Sequence, residues 1–112
     1  MIIPVNLGDH SYNIYIERGA INTISKTVNL NRRVLIVTDD GVPEEYARIV
    51  AAQCKEPHIA TVAQGEGSKS FGTFQKLLED MLRADFERGD CVVAVGGGVV
   101  GDLAGFVAAS YM

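Results

Sequence analysis

The chain has 112 residues, of which 47% are hydrophobic and 21% charged, and its formal net charge is −4. That length suits one domain or part of one, and that composition is typical of a globular protein with a sizeable core. The negative charge argues against nucleic acid or an anionic membrane surface as a partner. Residues 1–6 lack a basic and then apolar signal segment, and glycines with Asp102 interrupt the apolar stretch that follows residue 90, which argues against a membrane span.

The first elements in chain order are a β-hairpin, a short helix and a buried strand. Two β-rich runs, 2–7 and 12–16, flank Gly8-Asp9 and predict the hairpin. A short helix is predicted over 18–26. The continuous apolar run at 33–38 predicts a strand that is buried on both faces, and Asp39-Asp40-Gly41 ends it.

Two helices with a strand between them follow. Pro43 suits the first turn of a helix, whose predicted apolar face is Tyr46, Ile49, Val50 and Cys54. A strand is predicted over 59–63 and a loop over 64–69. Ser70 can cap the second helix and Gly89 can close it. The predicted apolar stripe of that second helix consists of Phe71, Phe74, Leu77, Leu78, Met81 and Leu82.

The most informative segment is a strand, a glycine turn and a helix in direct succession. Residues 91–95 are apolar, Gly96-Gly97-Gly98 follow at once, and a helical face then continues. That face consists of Val100, Leu103, Ala104, Val107, Ala108 and Tyr111. Strands that alternate with helices predict an α/β fold, a Rossmann-like parallel sheet with flanking helices and an N-terminal β-hairpin. Ligands bind beyond the carboxyl ends of such strands, where the loops 39–41, 65–69 and 96–102 are expected to meet.

The glycine turn predicts a phosphate site. Glycine lets the backbone approach an anion closely, and the first amides of a helix point toward it. A simple strand–helix connection does not need three adjacent glycines, which favours a ligand. Asp102 is expected in the first helical turn, where it would repel a phosphate, so we expect it to face a ligand hydroxyl or amide.

Other charged residues are ambiguous by spacing alone. Glu66 could accept hydrogen bonds from ribose hydroxyls and Lys69 could meet a phosphate or ribose oxygen, but spacing alone favours a solvated charged loop. An acid at 39 or 40 could hold a ribose, or simply form a turn. We predict no catalytic and no metal-ligating residue in this sequence, because His10 and His58 have no metal-spaced partner. Cys54 and Cys91 are expected to be buried, reduced thiols.

Two segments resemble the 3-dehydroquinate synthase family. The run from Gly96 to Tyr111 is similar to that family's signature segment, and Gln64 to Lys69 is similar to its second cofactor loop. The opening hairpin and the segment 37–39 also fit. The resemblance covers essentially the whole chain but only the N-terminal third or so of a family member. It therefore implies that residues 1–112 are an N-terminal NAD-binding domain, with the family's C-terminal helical domain absent from this sequence.

The resemblance also implies which residues bind the cofactor. Asp39, Glu66 and Lys69 match positions at the adenosine side, whereas family members often carry Asn where Gly41 stands, so the chain departs from the family there. The positions that match the pyrophosphate and nicotinamide side are Gly97, Gly98, Val99, Val100, Gly101 and Asp102.

What the family does sets the expected function. Its members convert 3-deoxy-D-arabino-heptulosonate 7-phosphate, a small-molecule substrate, to 3-dehydroquinate and phosphate in the shikimate pathway of aromatic amino acid biosynthesis. They use NAD catalytically together with a divalent metal, zinc or cobalt, whose ligands lie in the C-terminal domain. The resemblance implies a cytoplasmic lyase, and we expect the present chain to be inactive by itself.

Three alternatives remain open at this point. One is another sugar-phosphate cyclase, and one is a relative of the glycerol- or iron-dependent alcohol dehydrogenases, although residues 99–106 favour the cyclases. The third is a non-catalytic domain that associates with itself. We expect a homo-oligomer, a dimer, because Val107, Tyr111 and Met112 would leave an apolar surface open.

Overall fold

A computed structural model describes residues 1–111 of the chain. The strands and helices alternate after an initial hairpin, as the sequence predicts. In chain order they are β1 (Ile2–Val5), β2 (Tyr12–Tyr15), β3 (Arg33–Asp39), α1 (Glu44–Ala51), β4 (Glu56–Val62), α2 (Phe71–Arg83), β5 (Cys91–Val95) and α3 (Gly98–Ser110), with short 3-10 segments at Gly8–His10, Ala20–Lys26 and Glu66–Ser68.

The main sheet is parallel and has the strand order β4-β3-β5, while β1 and β2 form a separate antiparallel pair. β3 lies in the centre, so Thr38 stands opposite Thr61 of β4 and Val95 of β5. Five consecutive residues of β3 are buried, which explains why its sequence is a continuous apolar run rather than an alternating one. The predicted Rossmann-like α/β fold is confirmed.

Helices cover both faces of this sheet. Leu35 and Val37 of β3 pack in one core cluster with α2 and α3, through residues such as Leu77 and Val107. Val34 and Ile36 point the other way and pack with α1 and the 3-10 segment Ala20–Lys26. The helix that follows β3 therefore lies on one face of the sheet, and the helix that follows β5 lies on the other. Where adjacent parallel strands diverge in this way, a crevice opens beyond their carboxyl ends.

All three helix faces differ from the predicted ones, in α3 only at Ala108, which is exposed. In α1 the buried residues are Ala47 and Val50, while Tyr46 is exposed. In α2 the stripe is narrower than predicted, because Leu77 and Met81 are buried but Phe71 and Leu82 lie in solvent. A helix on a three-stranded sheet contacts it along a single line, so residues at the edges of a wide apolar stripe remain outside.

Helix α2 ends six residues before the predicted stop at Gly89. Asp85 takes a left-handed conformation with φ 59°, and the amide of Phe86 donates to the carbonyl of Met81 over 3.1 Å. This is the Schellman pattern that usually uses glycine, here formed by an aspartate. β4 also begins three residues earlier than predicted, since Glu56 pairs with Arg33 at the start of β3.

The end of α3 is less exposed than predicted. Val107 is fully buried, and the Tyr111 hydroxyl donates to the carbonyl of Phe86 over 2.8 Å. The prediction of an open apolar surface is thus wrong for these two residues, and Met112 lies outside the described residues. Within residues 1–111 no helix is both long and apolar enough to cross a membrane.

Candidate cofactor-binding site

The three glycines between β5 and α3 have different structural roles. A Cβ on Gly96 would lie 2.9 Å from the Val100 side chain, so glycine at 96 is needed for the turn to pack. A Cβ on Gly97 or Gly98 would meet no atom within 4 Å. The fold itself therefore does not demand glycine at 97 and 98, and their missing side chains leave open space directly in front of the helix.

The first turn of α3 has no side-chain cap. Gly97 stands at the N-cap position, and the first helical bond runs from the amide of Gly101 to the carbonyl of Gly97 over 3.0 Å. In any α-helix the preceding amides, here those of residues 98–100, have no partner inside the helix. Together with the space at Gly97 and Gly98, these donors form a turn that an anion can approach closely.

Asp102 and Lys69 form an ion pair that joins α3 to the loop after β4. The Lys69 Nζ lies 2.9 Å from the Asp102 Oδ2, and both side chains are about half exposed. The hydrogen bond that Lys69 donates to Asp102 raises the pKa of Lys69, and the negative charges of Asp102 and Glu66 add to the effect. Asp102 lies in the second turn of α3 rather than in the predicted first turn. The lysine therefore partly neutralises the acid near the helix start.

Glu66 lies in a short, internally bonded turn. The Ser68 amide donates to the Gly65 carbonyl over 3.1 Å, and the Lys69 amide donates to the Glu66 carbonyl over 3.0 Å. The Ser68 hydroxyl is bonded to the Ala63 carbonyl and is almost fully buried. This turn holds Glu66 and Lys69 on one well-ordered loop.

The two acids after β3 have separate contacts. The Asp39 Oδ1 accepts from the amides of Gly41 and Val42 over 2.9 and 3.1 Å, which is ordinary turn chemistry. The Asp40 Oδ1 accepts from the amide of Gln64 over 2.9 Å. The structure thus brings the loop 39–41 against the loop 64–69, and Lys69 joins that second loop to α3. All three loops lie at the carboxyl edge of the sheet.

Sequence reasoning missed Thr38. Its hydroxyl is the one buried side-chain oxygen or nitrogen within residues 1–111 that has no hydrogen-bond partner. Thr38 is one of the residues that line a cavity of about 280 Å³ between α1 and β4, together with Asp39, Asp40 and Thr61. Buried hydroxyls normally have a partner, so this one is an exception at the same sheet edge. The available signal was a polar residue at the end of an otherwise apolar strand.

Two other cavities define the surroundings. One of about 280 Å³ lies beside the ion pair, between Lys69, Asp102 and the rings of Phe71, Phe74 and Phe106. A larger one, of about 650 Å³, lies between the hairpin, the segment Ala20–Lys26 and β5. None of the predicted cofactor-binding residues lines it, and its walls are mostly apolar.

His58 lies away from this edge, and the two cysteines are only partly buried rather than buried as predicted. His58 bonds Glu56 over 3.0 Å near the amino ends of β3 and β4. Cys54 and Cys91 are free, and burial raises the pKa of both thiols. Among the side chains that the structure describes, no three of the His, Cys, Asp and Glu type are grouped to hold a metal ion.

The fold and the glycine turn define the class, a Rossmann-like α/β unit with an open, uncapped glycine turn between β5 and α3. Residues 59–112 match the family model described as 3-dehydroquinate synthase N-terminal. The chain is 44% identical over 113 residues to the 3-dehydroquinate synthases of Brucella ovis and Brucella anthropi. The match covers 95% of this chain and 30% of each relative. The resemblance to the N-terminal part of 3-dehydroquinate synthases is therefore confirmed.

Solved structures confirm the fold. A crystal structure of 2-deoxy-scyllo-inosose synthase superposes with a TM-score of 0.83 at 22% identity, over 98% of this chain and 33% of that one. A second structure of a 2-deoxy-scyllo-inosose synthase, complexed with carbaglucose-6-phosphate, NAD+ and Co2+, superposes with a TM-score of 0.83 at 24% identity, over 100% of this chain and 32% of that one. The similarity again extends over about a third of the longer protein.

Proposed function

We propose that this chain is the N-terminal, NAD-binding part of a 3-dehydroquinate synthase. The whole protein would convert 3-deoxy-D-arabino-heptulosonate 7-phosphate to 3-dehydroquinate and phosphate. The observation that carries the proposal is the turn at Gly97 and Gly98, where open space and uncapped amides face the carboxyl edge of the sheet. The 44% identity to named 3-dehydroquinate synthases favours this activity over that of another cyclase or of an alcohol dehydrogenase.

The residues present fit the cofactor. The amides of residues 98–100 would donate to the pyrophosphate, while Gly97 and Gly98 leave room for it. Lys69 offsets the charge of Asp102, so this acid can lie near an anion and accept from a hydroxyl or amide of the ligand. Glu66 and the outer oxygen of Asp39 are suited to accept from ribose hydroxyls. When bound, NAD supplies a hydride acceptor and donor.

The remaining parts of the proposal concern the whole protein. The chain spans 30% of the length of the curated relatives it matches, so we place the catalytic groups and the ligands of a zinc or cobalt ion in the other part. The NAD+ and Co2+ named for the structural neighbour support this pair of cofactors. We expect residues 1–112 alone to bind NAD weakly and to be inactive. Such a biosynthetic enzyme is expected in the cytoplasm, with neither nucleic acid nor membrane as a partner.

The test is a titration of the chain with NAD, in which binding is monitored through the NMR chemical shifts of the backbone amides. In a first variant, Gly98→Ala, a methyl group enters the proposed anion space. We expect this variant to bind NAD about tenfold more weakly, which corresponds to about 1.4 kcal/mol. Gly105→Ala is the matched control, because it also adds a methyl group to an open position of α3. Both changes should keep or slightly raise stability, since alanine favours a helix over glycine.

Three outcomes would contradict parts of this proposal. An equal loss of NAD affinity in Gly98→Ala and in Gly105→Ala would mean that the glycine turn does not contact NAD. A dissociation constant in the low micromolar range for the wild-type chain would refute the expected weak binding. Measurable turnover of the heptulosonate phosphate by the chain with NAD and zinc would refute its inactivity.

A further inference from the structure

Asp40 bonds to the end of β4 at two points. Its amide donates to the Val62 carbonyl over 3.0 Å, and its carboxylate Oδ1 accepts from the Gln64 amide over 2.9 Å. The last paired residues of the two strands are Asp39 and Val62. Asp40 therefore continues the contact between the two chain segments beyond the sheet, from the first loop into the second.

Gln64 strengthens the same contact with its side chain. A Cβ built on Gly41 would lie 2.4 Å from both the Cδ and the Oε1 of Gln64. The carboxamide of Gln64 thus lies directly over the backbone of Gly41, in the place that any larger residue at 41 would need. The loops 39–41 and 64–69 interlock through one hydrogen bond and one close packing contact.

The segment from Gln64 to Lys69 is short and bonded internally. The Ser68 amide donates to the Gly65 carbonyl, the Lys69 amide to the Glu66 carbonyl, and the Ser68 hydroxyl to the Ala63 carbonyl. A segment of this kind moves as one piece, so its start determines where its end lies. Its end is Lys69, whose ammonium lies 2.9 Å from Asp102 on α3.

We propose that Asp40 is a positioning residue that fastens the loop 64–69 to the end of β3 and thereby holds Lys69 against Asp102. The neighbouring Asp39 satisfies the turn amides of Gly41 and Val42, so Asp40 is not needed for that turn. Its acceptor oxygen instead reaches a residue 24 positions later in the chain. The effect on NAD rests on the proposed function, whereas the effect on the loop does not.

The experiment compares Asp40→Ala with Asp40→Asn in the full chain. The asparagine keeps a side-chain carbonyl oxygen that can accept from the Gln64 amide, and the alanine does not. Asp9→Ala in the turn between β1 and β2 is the control for loss of an exposed acid. Three quantities are measured by NMR: hydrogen exchange of the Gln64 amide, the pKa of the Lys69 ammonium, and the change of amide shifts with added NAD.

We expect the Gln64 amide of Asp40→Ala to exchange about tenfold faster, in keeping with loss of one hydrogen bond. The pKa of Lys69 should fall toward the ordinary lysine value, and NAD should bind several-fold more weakly. Asp40→Asn should stay close to wild type in all three, and so should Asp9→Ala. Circular dichroism checks that each variant is folded.

Two results would overturn the positioning role. One is an Asp40→Ala variant in which the exchange rate of the Gln64 amide and the pKa of Lys69 are both the same as in wild type. The other is an asparagine variant that behaves like the alanine variant, which would assign the effect to charge. A third result is distinct: if the loop responds as expected but NAD binding does not, the positioning role stands and the proposed role of this loop in NAD binding fails.

Discussion

The Lys69–Asp102 ion pair connects the loop after β4 to α3, between residues that are more than thirty positions apart in sequence. Because the hydrogen bond and the charge of Asp102 raise the pKa of Lys69, the pair contributes to stability below the ordinary lysine pKa. That contribution is lost only as the pH rises through the raised value, above about 10.5. At neutral pH that contribution is fully present, and the pair also holds the loop against α3.

We predict that Asp102→Asn lowers the pKa of Lys69 toward its ordinary value, because both the carboxylate hydrogen bond and its charge are removed. A side-chain NMR titration of Lys69 measures the change. Asp80→Asn is the control, because it removes the carboxylate of a different ion pair, the one between Asp80 and Arg83 within α2. A Lys69 pKa that is the same in Asp102→Asn and in wild type would contradict the ion pair.

Gly96 and Gly98 allow a second prediction at the residue scale. An added methyl group on Gly96 collides with Val100, which is fully buried, whereas one on Gly98 meets open space. Gly96→Ala should therefore lower the free energy of unfolding by about 1–3 kcal/mol, as overpacking of a core does. Urea unfolding of both variants tests this. A Gly98→Ala variant that is equally destabilised would mean that the fold, rather than a ligand, requires glycine at 98.

At the scale of elements, the amino ends of β3 and β4 are joined by a charged cluster. Glu56 accepts from both Arg33 and His58, and those two partners, His58 first, lower its pKa. The Arg33 guanidinium also lies 5.9 Å from the centroid of the Phe86 ring. This cluster is at the opposite end of the sheet from the glycine turn, so it stabilises the strands without touching the candidate site.

We predict that Glu56→Gln makes stability less sensitive to acid. A carboxylate with a lowered pKa stabilises the fold above its unfolded value near 4.5, and that contribution is lost as the pH falls through the folded value. Urea unfolding midpoints at pH 7 and below pH 4 should therefore differ less in the variant than in wild type. An identical pH dependence of the urea midpoint in the variant and in wild type would show that the cluster has no net effect on stability. Glu87→Gln serves as the control.

A second element-scale prediction concerns the start of α2. The Ser70 hydroxyl accepts from the Thr73 amide over 3.3 Å, as the sequence predicts for a capping serine. Ser70→Ala should lower the free energy of unfolding by about 1 kcal/mol, since one of the first helical amides loses its partner. Urea unfolding measures the change. Ser110→Ala at the exposed end of α3 is the control, and we expect it to lower the free energy of unfolding by less than half as much.

At the scale of the whole molecule, the exposed apolar surface lies mainly on the hairpin. Ile2, Ile14 and Ile16 are each more than 40% exposed, and the hairpin is paired only with itself in the part of the chain that is described. Apolar surface of this kind favours association. The proposed homodimer therefore has a different physical basis from the sequence prediction, which assigned the surface to residues 107, 111 and 112.

We predict that the chain forms dimers or larger species at micromolar concentration and that Ile14→Lys shifts it toward monomer. The lysine places a charge on the exposed face of β2, where it would be costly to bury against a second copy. Light scattering after size-exclusion chromatography measures both proteins. Phe71→Lys is the control, because Phe71 is exposed on α2. A wild-type monomer at that concentration would refute the proposed association.

Much of the fold could be predicted because its signals are local. The apolar run 33–38, the cap at Ser70 and the glycines after β5 each act through neighbours in sequence. The exact buried faces could not be predicted, because Tyr46, Phe71 and Leu82 are as apolar as the residues that are buried. Which side of a wide stripe meets the sheet depends on how each helix lies on it.

The sequence by itself determined the strand–helix order, the parallel sheet and the family resemblance, since these follow from periodicity, glycine spacing and motif. Only the tertiary structure decided that Lys69 meets Asp102, that Asp40 bonds to Gln64, and that Thr38 has no partner. Each of these depends on distances between side chains on different elements. Such distances follow from the strand order β4-β3-β5, which sequence spacing alone does not contain.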